Sequence, residues 1–443
     1  MPTTLVRTFL AFACLPLSTA LAQQAAPPSD EVQVTPAPPP DTAVPAPAPP
    51  PLEQAAPTET EAEKKQSDEE KAKNMGPSGW NPDEGFILGS GDGLHKLRIG
   101  MQSAYKFEPR YQDNAWRDRR AFFVLRPILA GNFYKKWIRF WTSLELNSNP
   151  PFLLDSYVEV NPVNEFGIRL GQQYTLLSRH EQFGPQQILF PEWAPVAEYF
   201  WTGRDKGATA WGIVADGVFE YYAGIYGGSP LRQFVSIVGN YVVEARVVLS
   251  PMGAPAGNEF AYINADPIPL RLSFSLQGVY GKLQLAEENF NPSSFRFDVT
   301  PTGVRSKKAL GSADIWFQGP MFIFLTEGYV QRTDPDVAMA GTTDRYTSWG
   351  VWGQLGVLLV PRMLDCGVRF NYLDPSTDLK NDTFWSGEAQ VAWYVTGSPN
   401  LVVKARFGFG EQKSPGKDAL GPVPLFTNPG KFYISTLQLN LAF

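Results

Sequence analysis

From Gly85 to Phe443 the apolar residues recur at every second position, in segments of about ten residues. Trp385, Gly387, Ala389, Val391, Trp393 and Val395 fall on one face of such a segment. Ser386, Glu388, Gln390, Ala392 and Tyr394 fall on the other. Leu364, Cys366, Val368, Phe370 and Tyr372 alternate in the same way with Asp365, Gly367, Arg369 and Asn371. So do Leu401, Val403, Ala405, Phe407 and Phe409 with Val402, Lys404, Arg406 and Gly408. Successive side chains of a strand point to opposite faces, so the pattern predicts strands with one apolar and one polar side. A soluble β-sandwich alternates too, but its strands run to only about 5–6 residues. Arg and Glu at mid-strand on the polar side also suit a wet lumen. The expected fold class is therefore all-β, a transmembrane antiparallel β-barrel. Composition agrees, because 13% of the residues are aromatic while mean hydropathy is only −0.20. No stretch reaches the ~18–20 apolar residues that a spanning helix needs.

Charge and residue counts bound the chemistry. A net charge of −6 and a pI near 5.3 leave no basic footprint for nucleic acid. Two His and two Cys in the whole chain leave no His/Cys metal site and no disulfide framework, and no cofactor is implied. His95 and His180 have no evident orienting partner in the sequence, so an enzyme is not the reading.

Segmentation gives about 16 strands. They begin with Leu94–Phe107, Arg119–Phe133, Trp137–Leu146, Leu153–Asn161, Phe166–Gln173 and Ala208–Val214. Val218–Tyr226, Tyr241–Ser250, Leu270–Tyr280, Lys308–Gln318 and Met321–Arg332 follow. Tyr346–Leu358, Leu364–Tyr372, Trp385–Val395, Leu401–Gly410 and Phe432–Phe443 complete the set. Even-numbered strands end in short turns and odd-numbered ones mostly in longer polar loops, as a barrel with periplasmic turns and outer loops requires. Pro251–Pro269 breaks this rule, being long for a turn. Thr175–Gly207, after the fifth strand, is the longest loop.

Residues 1–22 read as a signal peptide, with Arg7, an apolar Phe9–Leu17 core and an Ala20-Leu21-Ala22 cleavage site. Residues 23–57 form a Pro/Ala-rich linker and residues 58–80 a charged periplasmic segment. The plain reading of this extension is a disordered, solvated spacer, and the sharper one a tether touching peptidoglycan. Residues 85–443 are the barrel. Its last strand puts Tyr433, Leu437, Leu439 and Leu441 on the lipid side and ends on Phe443. Tyr433 and Phe443 are the expected assembly signal for the barrel assembly machinery, in the outer membrane of a Gram-negative bacterium.

Several stretches resemble the phosphate-selective porin O and P family. They are GFILGSGDGLHKLRIG at Gly85–Gly100, Asp118-Arg119-Arg120, DSYVEV at Asp155–Val160, RLGQQY at Arg169–Tyr174 and EYFWTGRDKGATAWG at Glu198–Gly212. The resemblance implies a 16-stranded outer-membrane barrel, usually a homotrimer, that passes anions by diffusion past an inward-folded third loop. The family's lysine-rich third loop is not matched here.

Alternation puts Lys96, Arg98, Lys106, Arg120, Arg126, Arg139, Arg169, Arg369, Lys404 and Arg406 in the lumen, against a nearly equal set of carboxylates. In the third loop, Arg179, Arg204 and Lys206 are the expected constriction cations, opposed by Glu181, Glu192, Glu198 and Asp205. Phe183, Phe190, Trp193, Tyr199, Phe200 and Trp201 are expected to pack that loop against the wall. The expected function is a porin giving passive diffusion of small hydrophilic solutes, with a weak preference for anions such as phosphate. The alternatives are a structural barrel tethered to the cell wall and a carbohydrate-selective channel.

Overall fold

The structure, a computed structural model, describes residues 78–81, 85–112, 115–117, 120–147, 151–200, 202–228, 239–255, 258–259, 269–291, 296–336, 345–413 and 430–443. The signal peptide, the linker and the charged segment up to residue 77 lie outside the described residues.

Sixteen long strands form a closed antiparallel barrel. They are β1 (Lys96–Phe107), β2 (Arg120–Phe133), β3 (Lys135–Glu145), β4 (Phe152–Val163), β5 (Phe166–Tyr174) and β6 (Arg204–Val214). Next come β7 (Phe219–Tyr226), β8 (Tyr241–Leu249), β9 (Arg271–Asn291), β10 (Arg296–Gln318) and β11 (Phe322–Pro335). The circuit ends with β12 (Tyr346–Val360), β13 (Leu364–Asp374), β14 (Phe384–Tyr394), β15 (Leu401–Gln412) and β16 (Gly430–Ala442). Each pairs with its sequence neighbour, and β16 returns to β1 through Leu437↔Phe107 to Ala442↔Gln102. Closure leaves the wall itself no open edge, which a strand in lipid could not tolerate. Two short hairpins extend the seam: Gly79–Asn81 with Gly85–Gly89 beside β1, and Arg110–Gln112 with Ala115–Arg117 beside β16.

The two-residue period sets both faces. On β16, Tyr433, Leu437, Leu439 and Leu441 are 42–51% exposed to the outside, while Thr436, Gln438 and Asn440 are buried inside. Phe443 exchanges backbone hydrogen bonds with Met101 at 2.9 and 3.0 Å, and its ring lies 5.0 Å from Trp80.

Three boundaries depart furthest from the sequence reading. β9 and β10 run well past the expected Tyr280 and Lys308. Beyond Lys282 and Ser306 they pair only with each other, because β8 stops at Tyr241↔Lys282 and β11 at Ser306↔Pro335. Their outer halves are a two-stranded ribbon standing off the wall. The sixth strand begins at Arg204, not Ala208, because Arg204–Gly207 pair with Gly171–Tyr174 of β5. Arg204 and Lys206 therefore belong to the wall rather than to the third loop. A ladder uses only backbone groups, so the charged run does not exclude it.

Candidate functional site

Residues 175–203 turn back into the barrel. The base of this loop closes on itself, with Thr175 N–H donating to Gly203 O at 3.1 Å and the Thr175 and Thr202 hydroxyls 2.5 Å apart. Inside, Leu177, Ile188, Leu189, Phe190, Ala194, Val196, Ala197 and Phe200 are no more than 1% exposed. Burial of each larger side chain is worth about 1.5–3 kcal/mol. Pro195 opens a six-residue helix, α1 (Pro195–Phe200), at the position where a missing N–H is harmless. Phe200 stacks on Tyr329 of β11 at 4.9 Å, and Phe183 meets Trp316 of β10 edge-on at 5.5 Å. Trp193 donates to Phe183 O, and Tyr199 packs beside Phe200. Trp201 lies outside the described residues. The wall makes room with glycine: a Cβ on Gly356 or Gly367 would come within 2.8 or 3.0 Å of Leu189 Cδ2.

Polar anchors tie the loop to the wall from β8 onward. Glu244 of β8 accepts from Leu176 N–H (2.5 Å) and the Thr202 hydroxyl (3.0 Å). Glu327 of β11 accepts from the Ser178 hydroxyl and from the Arg179 and His180 N–H groups at 2.8–3.2 Å. Lys404 of β15, fully buried, donates to the carbonyls of Pro185, Ile188 and Phe190. Arg369 of β13 reaches Glu192 O at 2.8 Å. The Glu192 carboxylate sits between Lys106 of β1 and Arg406 of β15. Arg406 also contacts Glu108 and Glu388, and Arg369 pairs with Glu388 at 2.8 Å, so these cations are matched by carboxylates.

A further anchor comes from the opposite end. The long connection after β8, which broke the short-turn rule, enters the lumen at Glu259. Its carboxylate accepts from Leu189 N–H (2.6 Å) and Gln354 Nε2 of β12 (2.7 Å), and it lies 2.6 Å from His180 Nδ1. Ala194 N–H donates to His180 Nε2 at 2.9 Å, so Nδ1 carries the ring proton and donates to Glu259. His180 thus has an orienting partner that the sequence did not disclose. Its other nitrogen is already occupied, which leaves no free face for general-base work. Burial raises the Glu259 pKa, but contact with His180 and the Leu189 and Gln354 hydrogen bonds outweigh it and hold the carboxyl below the ordinary range. Glu181 moves the other way, pushed well above that range by burial, Glu198 and Glu327.

The expected constriction cations are placed as follows. Arg179 turns to the wall, with Ser273 Oγ at 2.9 Å, Asp314 at 3.7 Å and the Trp316 ring at 5.2 Å. Arg204 is 4% exposed, paired with Asp155 at 2.7 Å over the Tyr174 ring. Lys206 has the parity of Ala208 and Ala210, opposite to the inward Thr209 and Trp211, and its Nζ has no hydrogen-bond partner. Of the lumen cations, Arg126 pairs with Glu145 at 2.7 Å, and Arg139 and Arg169 share Glu159. Lys96 and Arg98 lie half-buried at the turn end, and the Arg120 side chain is outside the described residues.

No protein-family model matches the sequence, and neither does the sequence of any curated protein. Solved structures do match. The anion-selective porin from Comamonas acidovorans superposes with a TM-score of 0.54 at 11% identity, over 78% of this chain and 99% of that one. In-vitro folded OmpT, an outer membrane protein of Vibrio cholerae, gives 0.51 at 9% identity, over 78% and 98%. Its trimer form gives 0.50 at 9%, over 78% and 99%. The closed 16-strand barrel of this chain is a fold found in outer-membrane proteins of Gram-negative bacteria.

Proposed function

We propose that this chain is a passive outer-membrane channel for small hydrophilic solutes, with a modest preference for anions. The observation that carries the reading is the one-sided loop. Its wall anchors fall between β8 and β15 and on β1, where inward residues are largely buried. At the turn end of β1 to β7 the inward Trp141, Tyr157, Arg169, Trp211 and Tyr222 stay half-exposed. Sixteen strands enclose an aqueous lumen, and the path for solutes runs along that arc. Lys96, Arg98, Arg139 and Arg169 give the arc more cations than carboxylates, which favours anions. The likeness to an anion-selective porin and the resemblance to the porin O and P family support the same sign. Phosphate specificity is not part of the proposal, because no lysine cluster lines the loop. The reading includes export through residues 1–22, a periplasmic extension over 23–80, insertion by the barrel assembly machinery and a homotrimer like the trimer form of Vibrio OmpT.

Planar-bilayer recording tests it. The purified full chain should give stepwise currents, larger when residues 183–199 are replaced by a short linker in a barrel that still folds. A folded barrel that gives no steps in either form would be a plugged anchor.

A further inference from the structure

At the turn end a cavity of about 620 Å³ opens on the wall between β1 and β7, within the size range of small-ligand sites. Strand register lays it out in two rows. Lys96, Asn132, Arg139, Glu159 and Arg169 are successive cross-strand partners from β1 to β5. One step toward the loop end, Arg98, Ala130, Trp141 and Tyr157 are partners in the same way. Trp211 and Tyr222, paired across β6 and β7, close the side. Ala130, small between Arg98 and Trp141, leaves the hollow.

The recess carries excess positive charge. Glu159 accepts from Arg139 Nη2 at 2.5 Å and from Arg169 Nε and Nη2 at 2.9 and 2.7 Å, so one carboxylate serves two guanidiniums. Glu220, beside Tyr222 on β7, is tied to the Tyr222 hydroxyl at 2.7 Å. Arg98 Nε and Trp211 Nε1 have no hydrogen-bond acceptor within the protein, whereas buried donors normally have one. The rings stand beside the charges: Arg169 lies 4.5 Å from the Tyr157 centroid and Arg98 5.8 Å from that of Trp141. Guanidinium forks fit a carboxylate, and half-exposed rings fit a flat apolar body. We propose that the recess binds a small aromatic carboxylate, its charge toward Arg98 and Arg139 and its ring against Trp141 and Trp211; as a way-station for transport this rests on the channel reading.

Isothermal titration of the detergent-solubilised full chain tests it, with benzoate as the probe and acetate, inorganic phosphate and glucose as comparators. Benzoate should bind about ten-fold tighter than acetate or phosphate, and glucose should give no binding heat. Arg98→Gln and Trp211→Leu should each weaken benzoate about five-fold. Phosphate binding as tightly as benzoate, glucose binding in its place, or no benzoate heat would each overturn the proposal. The four-ligand comparison on the unaltered protein decides even if a variant does not fold. Titration needs no current, so a chain that conducts without binding overturns only the recess. One that binds without conducting overturns only the channel.

Discussion

Glu259 is the residue on which two segments from opposite ends of the barrel meet, and all its partners are buried donors. In Glu259→Gln one accepting oxygen becomes a donor and faces another donor, at a cost of about 1–3 kcal/mol. The barrel should still insert, while the loop becomes noisier in single-channel current and easier to cleave inside. An equally quiet, protease-resistant loop would remove Glu259 from the clamp. The clamp should also depend on pH. The folded carboxyl is held below its ordinary value, so its stabilisation is complete above the unfolded pKa of about 4.3 and is lost as pH falls through the lower folded value. Open-channel noise should therefore rise below roughly pH 4 in the unaltered chain, and Glu259→Gln should flatten that rise. None of this was legible in the sequence, where Glu259 is one acid in an over-long turn. Alternation likewise put Lys404 and Arg406 inside, yet their loop partners lie 214–219 residues away in the chain: Lys404 reaches Pro185 at a separation of 219, and Arg406 reaches Glu192 at 214. A two-residue period fixes the side on which a residue stands, not the groups it meets.

The strands themselves were the most legible elements, because lipid on one face and lumen on the other impose the period directly. The reading failed where that constraint stops. Residues past Lys282 and before Ser306 leave the wall, so Glu, Asn and Pro there look like loop while the backbone continues as ribbon. A lone two-stranded ribbon is marginally stable at best in water. Replacing residues 284–304 with a short turn should leave the heat-modifiable barrel and its conductance unchanged. Loss of insertion would show that the ribbon belongs to the barrel's folding unit. Inward glycines were also overlooked, since a glycine in a strand reads as weak β-propensity rather than as space. Gly356→Leu should fold as wall but collide with Leu189, an overpacking cost of about 1–3 kcal/mol. Because the loop is the softer partner, it should shift and single-channel conductance should change. Unchanged conductance and protease resistance would mean that the contact does not position the loop.

Across the whole molecule, charge is distributed unevenly between the two sides of the lumen. Around Glu192, Lys106, Arg369 and Arg406 face Glu108, Glu192 and Glu388, so the loop side is close to neutral. The turn-end recess on the open arc holds more cations than carboxylates, with Glu159 answering both Arg139 and Arg169. A fixed charge near one mouth admits counter-ions more readily from that side, so current through the barrel should rectify. The asymmetry should be clear at roughly 0.1 M KCl, where the screening length is about 10 Å, and nearly vanish at 1 M, where it is about 3 Å. Under a salt gradient the reversal potential should lie on the anion side, and Lys96→Gln with Arg98→Gln should reduce both the rectification and that offset. Lys206→Ala should leave both unchanged, because Lys206 does not line the recess. Current–voltage curves from one oriented channel in both salts decide the matter. Rectification that persists at 1 M would come from a moving loop rather than from fixed charge, and a cation-side reversal potential would show that the recess does not set the sign.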